Sequence, residues 1–127
     1  MDSSSIGKKG ENIACKYLEG KGHTIVDRNF KVKSGEIDII SKRGEVLFFV
    51  EVKTTAQPEK SDSMMHQRPE ENVHLSKMKK LSRAVQQYLS SRHKNEDVSW
   101  EFLVIAIHLD RGGKRAYVKA ISDVLES

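Results

Sequence analysis

The sequence has little of what ties a protein to an oxidising compartment or to a membrane. Its one cysteine, Cys15, cannot form an internal disulfide, and its helical surroundings favour a small buried side chain over a catalytic thiol. No apolar run is long enough to span a bilayer, and residues 1–5 lack the basic and apolar segments of a secretory signal. We therefore expect a cytoplasmic protein that does not contact a membrane.

Several ligand-binding patterns are also missing. No glycine-rich phosphate loop, nucleophile elbow or dinucleotide fingerprint occurs in the chain. The histidines show no paired spacing on one predicted element, which argues against a zinc site; they are His23, His66, His74, His93 and His108. The sequence thus offers no support for the enzyme classes that such patterns identify.

What the chain does contain is typical of one globular domain covering residues 1–127. Charged residues make up 31% and hydrophobic residues 37%, a balance found in folded rather than disordered chains. The 22 Lys and Arg residues exceed the 18 Asp and Glu residues, so the chain carries a net charge of +4. Such a charge favours phosphate-rich partners, although many unrelated proteins use it for solubility alone.

Hydrophobic periodicity predicts the element order αβββαββ. Apolar residues at three- and four-residue steps predict two helices, and runs of β-branched and aromatic residues predict five strands. The helices are expected at 5–22 and 75–92, and the strands at 24–30, 36–40, 46–53, 99–109 and 114–121. Between 54 and 74 periodicity disappears, which predicts a functional or disordered loop. The apolar run 103–107 is typical of a strand covered on both faces, so we expect an α/β fold with a mixed central sheet flanked by helices.

Glu51 and Lys53 form the core of a candidate site. Because side chains alternate along a strand, the two project from the same face of 46–53. With a second carboxylate, Asp38 on the preceding strand, they suit metal-dependent hydrolysis of phosphodiesters. The carboxylates would hold Mg²⁺ or Mn²⁺, and the lysine would orient the attacking water or offset developing charge. The alternative is a surface salt bridge between Glu51 and Lys53 that only solvates the sheet.

The contribution of Asp38 depends on the register of the hairpin. If Arg43 and Gly44 form a two-residue turn, Asp38 lies opposite Phe49 and diagonal to Glu51, roughly 7 to 8 Å away at the backbone. Two carboxylates that lean toward one cation can close such a gap. A slip of one residue would move Asp38 to the other face of the sheet and would contradict the site.

The residues of this candidate site, taken with others, resemble a known bacterial family. The segments that carry the resemblance are GEIDII at 35–40 and FFVEVK at 48–53, with GENIA at 10–14, YL at 17–18, RNF at 28–30 and PEENV at 69–73. They resemble the YraN-like (UPF0102) uncharacterised proteins, a branch of the PD-(D/E)xK nuclease superfamily to which Holliday junction resolvases are related. The resemblance implies a restriction-endonuclease-like fold and an endonuclease that acts on structured or single-stranded DNA.

The resemblance also implies a role for individual residues. Asp38 and Glu51 would be metal ligands, the main-chain carbonyl of Val52 a further ligand, and Lys53 the catalytic lysine. Glu11, at the edge of the apolar face of the first helix, would be an accessory acid. By analogy with resolvases, a homodimer is expected, since pairing gives a small domain a second site for branched DNA.

One position departs from the family pattern. Where the family often carries Arg-Phe-Asp near the fourth strand, this chain has Glu101, Phe102 and Leu103. If that aspartate contributes to activity, the chain is instead a catalytically inactive nucleic-acid-binding module of the same fold. A protein-interaction adaptor that uses the loop 54–74 is a third hypothesis.

Cations on the second helix are candidates for contacts with nucleic acid. Lys77 flanks the apolar face and is expected to point inward, where it would bind a substrate phosphate. Lys79, Lys80 and Arg83 are expected on the opposite, solvated face. There they would either contact the nucleic-acid backbone without sequence preference or only keep the protein soluble.

Overall fold

A computed structural model describes residues 3–33, 35–56, 75–110, 112 and 115–122, without the side chains of residues 3, 4, 75–78 and 122. The predicted loop 54–74 therefore lies outside the described residues from position 57 onward. So does the side chain of Lys77, whose backbone is part of the second helix.

The order αβββαββ predicted from the sequence is confirmed. The elements are α1 (Ser3–Gly20), β1 (Thr24–Val32), β2 (Gly35–Arg43), β3 (Val46–Ala56), α2 (Leu75–Arg92), β4 (Ser99–Leu109) and β5 (Ala116–Ser122). The predicted boundaries differ from the observed ones at several element ends; β1 runs to Val32, for example, and β2 from Gly35 to Arg43. Helix α1 ends at Gly20 rather than at residue 22, because Gly22 adopts a φ of +92° and the amide of His23 donates to the carbonyl of Leu18 at 2.9 Å. Strand β3 continues to Ala56, three residues past its predicted end at Lys53.

The five strands form a mixed sheet in the order β1-β2-β3-β4-β5. Strands β1, β2 and β3 pair antiparallel, β3 and β4 pair parallel, and β4 and β5 pair antiparallel. The parallel pair requires a long crossover, and α2 lies within it. The mixed sheet expected from the apolar run 103–107 is thus confirmed, with β3 at its centre.

One helix packs on each face of the sheet. On the first face, Ala14, Cys15 and Leu18 of α1 pack against a cluster that includes Val50 of β3 and Ile105 of β4. On the second face, the buried residues of α2 pack against the other side of the strands. The helix contributes Leu81, Ala84, Val85 and Tyr88, and the strands contribute Ile37, Ile40, Leu47 and Phe49. The sheet is therefore covered on both sides, as an α/β layered fold requires. Cys15 is buried, as predicted.

The predicted register of the β2–β3 hairpin is wrong by two residues. Arg43 pairs with Val46, so the turn consists of Gly44 and Glu45 rather than Arg43 and Gly44. Gly44 has a φ of +61°, and a two-residue turn that begins with a left-handed residue requires glycine at that position. Since the error is an even number of residues, Asp38 keeps its face of the sheet.

Within the described residues, neither helix is both long and apolar enough to cross a membrane.

Candidate active site

The site lies where β2 and β3 stop pairing. Their ladder ends at the pair Ile39–Val50, and beyond it the amide of Val52 donates to Oδ2 of Asp38 at 2.8 Å. The face alternation of β2 breaks at the same point, because Ile37 and Ile40 both pack toward α2 while Ile39 packs toward α1. The side-chain carboxylate of Asp38 thus accepts a hydrogen bond from an amide of the neighbouring strand. This hydrogen bond holds Asp38 where the two strands begin to separate.

Asp38 and Glu51 line one small cavity. The cavity has a volume of about 170 Å³, and its wall also includes Glu36 and, from α2, Lys80 and Leu81. Glu51 is only 6% exposed, which is unusual for a carboxylate and indicates that the surrounding protein compensates its burial. The two residues that the sequence assigned to one site are therefore brought together by the fold.

Burial and the neighbouring negative charges favour the neutral form of the Asp38 carboxyl. Burial, and next the negative charge of Glu51, raise the pKa of Asp38 from 3.8 to about 8, although the amide of Val52 acts in the opposite direction. Glu11 and Glu36 add smaller contributions of the same sign as Glu51. A cation placed between Asp38 and Glu51 would relieve this repulsion. Among the described residues, however, no group of three or more His, Cys, Asp or Glu side chains is close enough to enclose a metal by itself.

Asn29 organises the acidic rim of the cavity, and the sequence reasoning did not single it out. Its Nδ2 donates to both carboxylate oxygens of Glu11, at 3.1 and 3.3 Å, and to Oε1 of Glu36 at 3.3 Å. Its φ of +52° lies in the left-handed region, which asparagine tolerates better than most residues. Arg28 also pairs with Glu11, at 3.4 Å. The RNF segment at 28–30 carried part of the family resemblance, and it was the available signal for these two residues.

Glu11 reaches the rim because α1 lies unusually close to the sheet. A Cβ atom at Gly10 would overlap the side chain of Thr54, so only glycine permits this approach of α1 to β3. The predicted placement of Glu11 beside the site agrees with this geometry. Its accessory catalytic role stays a prediction.

The remaining predicted residues occupy different positions around the cavity. Lys53 follows Glu51 by two residues on β3 and therefore projects from the same face, but it is not part of the cavity wall. Val52 contributes the amide that binds Asp38. Lys80 and Arg83 are exposed, as expected, yet they flank the buried residues of α2 and face the β1–β2 turn. Lys80 lines the cavity, which corrects the prediction that it lies on the far side of the helix.

Leu103 lies on the opposite face of the sheet from Glu51. It pairs with Val50 and is buried in the cluster beneath α1, whereas the cavity opens on the α2 side. Leu103 is therefore not part of the wall of the acidic cavity.

Comparison with known proteins identifies the family. Residues 10–107 match the family described as "Uncharacterised protein family UPF0102". The chain belongs to the UPF0102 family. It is 34% identical to a UPF0102 protein of Chloroherpeton thalassium over 94% of this chain and 88% of the relative. It is 33% identical to one of Desulforamulus reducens over 98% of both chains, and 39% identical to one of Chlorobium limicola over 86% of this chain and 79% of the relative.

The match to UPF0102 contains the whole candidate site. It begins at Gly10, beside Glu11, and it ends at Ile107 in β4, so it includes Asn29, Glu36 and both acids of the cavity. The relatives carry the family name without an activity.

Proposed function

We propose that this UPF0102 protein is a metal-dependent endonuclease of the PD-(D/E)xK superfamily with a restriction-endonuclease-like fold. The observation that carries the proposal is the meeting of Asp38 and Glu51 in one cavity at the point where β2 and β3 part. The order αβββαββ and the position of Lys53, two residues after Glu51 on one face, agree with the pattern of that superfamily.

The donor set fits Mg²⁺ or Mn²⁺. Magnesium usually takes one or two protein carboxylates and completes its shell with water and substrate phosphate rather than with an all-protein cage. Asp38 and Glu51 would hold the ion, with the main-chain carbonyl of Val52 as a further donor. When bound, the ion would supply Lewis-acid polarisation of a phosphate and a more acidic water.

The chain's own groups would prepare the reaction. The amide of Val52 binds Oδ2 of Asp38 and so fixes the position of this carboxylate, whose other oxygen would bind the ion. Lys53 would orient the attacking water or stabilise the charge that develops on the phosphate. Glu11, held by Arg28 and Asn29, would act as the accessory acid at the rim.

The decisive experiment is a cleavage assay on DNA of several structures. Labelled single-stranded, duplex, flapped and four-way-junction substrates are incubated with Mg²⁺ or Mn²⁺ and with the wild-type protein, Asp38→Asn or Lys53→Ala. We expect cleavage that requires the cation and falls at least about a hundredfold in both variants, the scale of loss when a charged group of such a site is removed. The exposed substitutions Asp97→Asn and Lys16→Ala serve as charge-matched controls.

Two outcomes contradict the proposal. If the wild type cleaves no substrate although it binds DNA, the inactive binding module is the correct function. If the wild type and the site variants cleave equally, the activity belongs to a contaminant or to another site.

A further inference from the structure

A second, larger cleft adjoins the acidic cavity. It has a volume of about 490 Å³, and its lining shares Gly35, Glu36 and Lys80 with the wall of the cavity. A molecule that lies in this cleft can therefore reach Asp38 and Glu51 without leaving the surface of the protein.

The cleft is strongly cationic on both sides. Lys31 and Lys33 line it from the end of β1, and Lys80 and Arg83 line it from α2, against the single carboxylate of Glu36. All four cations are exposed. Within the part of the chain that the structure describes, no ion pair joins any of them to an acidic side chain. Four cations around a single carboxylate are typical of a surface that binds phosphates.

The two walls meet at the base of the cleft. A Cβ atom at Gly35 would lie 2.9 Å from the main-chain carbonyl oxygen of Lys80, so the β1–β2 turn and α2 are in backbone contact there. The result is an open groove with cations on each wall, whose walls meet at this contact. Cations on two sides of a groove can contact one sugar-phosphate backbone from both sides, whereas a duplex would meet only the outer edges of the walls.

Glu36 marks the boundary between the two compartments. It lines both of them, and its carboxylate is held by Asn29 at 3.3 Å. Its negative charge repels phosphate from the junction, so a strand in the cleft is expected to place successive phosphates on either side of it.

We propose that Lys31, Lys33, Lys80 and Arg83 bind the phosphate backbone of a single nucleic-acid strand and lead it into the acidic cavity. This inference rests on the proposed function for the identity of the reacting site. It adds the groove along which the substrate enters and the strandedness that the groove selects.

The test measures binding rather than cleavage. A labelled single-stranded oligonucleotide is titrated with wild-type protein in EDTA, where no divalent cation is present, over a series of salt concentrations. The variant Lys31→Ala/Arg83→Ala removes one cation from each wall and leaves the residues of the acidic cavity unchanged. The control Lys16→Ala/Lys42→Ala removes the same charge from exposed positions outside the cleft.

We expect the cleft variant to bind on the order of tenfold more weakly at low salt. The slope of log affinity against log salt should fall by about 1.4, since each phosphate contact on a single strand contributes about 0.7. The control should bind like the wild type. A hairpin whose stem contains the sequence of the oligonucleotide as one strand should bind more weakly than the single strand. Its affinity should also change less in the cleft variant.

Three results overturn the inference: equal losses in the cleft and control variants, no loss in the cleft variant, or a duplex that binds as tightly and responds as strongly as the single strand. The cleavage assay separates these failures from failure of the nuclease proposal. If binding depends on the cleft residues but no substrate is cleaved, only the nuclease proposal is rejected. If cleavage requires Asp38 but the cleft substitutions do not change binding, only the groove proposal is rejected.

Discussion

At the scale of single residues, Asp38 shows how a side chain can replace the main chain where two strands stop pairing. Its carboxylate accepts a hydrogen bond from the amide of Val52. If the two strands continued to pair, a main-chain carbonyl of β2 would be available to accept from that amide. That hydrogen bond lets β2 diverge from β3 without an unpaired buried N–H group, and it places Asp38 beside Glu51. The same arrangement brings two carboxylates together, and their repulsion is a cost that the folded state bears.

The raised pKa of Asp38 predicts that this carboxylate opposes folding at neutral and alkaline pH. Between its ordinary pKa of 3.8 and its native pKa of about 8, the native protein holds a proton that the unfolded chain has released. The contribution of Asp38 to stability is therefore complete below the lower value and is lost as the pH rises through the upper one.

Asp38→Asn should remove this pH dependence. The amide oxygen can still accept from Val52, while the charge beside Glu51 is gone. At about pH 8 we expect the variant to be more stable than the wild type by roughly 1 kcal/mol or more, since one pKa unit corresponds to about 1.4 kcal/mol. Urea denaturation from about pH 5 to about pH 9 measures the effect, with Asp97→Asn as an exposed control. Parallel stability curves for the wild type and Asp38→Asn would contradict the argument.

At the scale of elements, the sequence predicted the strands and the faces better than the register. Runs of β-branched and aromatic residues located every described strand, because such runs are local features of the sequence. The turn was misplaced because either Arg43–Gly44 or Gly44–Glu45 leaves one glycine in the loop, and only the backbone shows which position needs its φ of +61°. An error of two residues preserves the face of each side chain, so Asp38 and Glu51 still line one cavity.

Other features of the site could not be read from local patterns. The break of alternation at Asp38 depends on a bond to Val52, fourteen positions away in sequence. The bridging role of Asn29 likewise needs α1, β1 and β2 to be in place. Such contacts follow from the packing of elements and not from the periodicity within any one of them.

The close approach of the β1–β2 turn to α2 gives a prediction at the same scale. Gly35→Ala would place a methyl group 2.9 Å from the carbonyl oxygen of Lys80, a main-chain atom that cannot move alone. We expect α2 to shift and the free energy of unfolding to fall by about 1 to 3 kcal/mol, the usual cost of overpacking.

The matched control for Gly35→Ala is Gly7→Ala. Gly7 lies inside α1 with no atom within 4 Å of the added Cβ, so alanine should raise stability there by about 1 kcal/mol through helix propensity. Thermal denaturation of both variants measures the contrast. A Gly35→Ala protein as stable as the wild type would show that the turn is not fixed against α2.

At the scale of the whole molecule, the two faces of the sheet have separate tasks. The face beneath α1 is an apolar cluster that includes Val50, Leu103 and Ile105. The face beneath α2 is apolar only at one end, and at the other it opens into the cavity of Asp38 and Glu51. Because alternate residues of β3 serve the two faces, the strand supplies packing and chemistry from adjacent positions.

This division predicts the effect of placing at Leu103 the aspartate that the family resemblance implies. Leu103 is buried on the α1 face, so Leu103→Asp would place a carboxylate in an apolar cluster and destabilise the protein strongly. Leu103→Ala should cost about 2 to 5 kcal/mol through lost packing alone. Leu103→Met nearly conserves volume and should cost less than about 1.5 kcal/mol.

None of the three Leu103 variants should change cleavage per folded molecule, because the side chain points away from the acidic cavity. Stability is measured by urea denaturation, and activity is normalised to the folded fraction at each temperature. Leu103→Met and Leu103→Ala keep the comparison informative if Leu103→Asp does not fold. A rise in normalised activity in Leu103→Asp, with no change in Leu103→Ala, would mean that the α1 face takes part in the reaction and that the separation of packing from chemistry across β3 and β4 is incorrect.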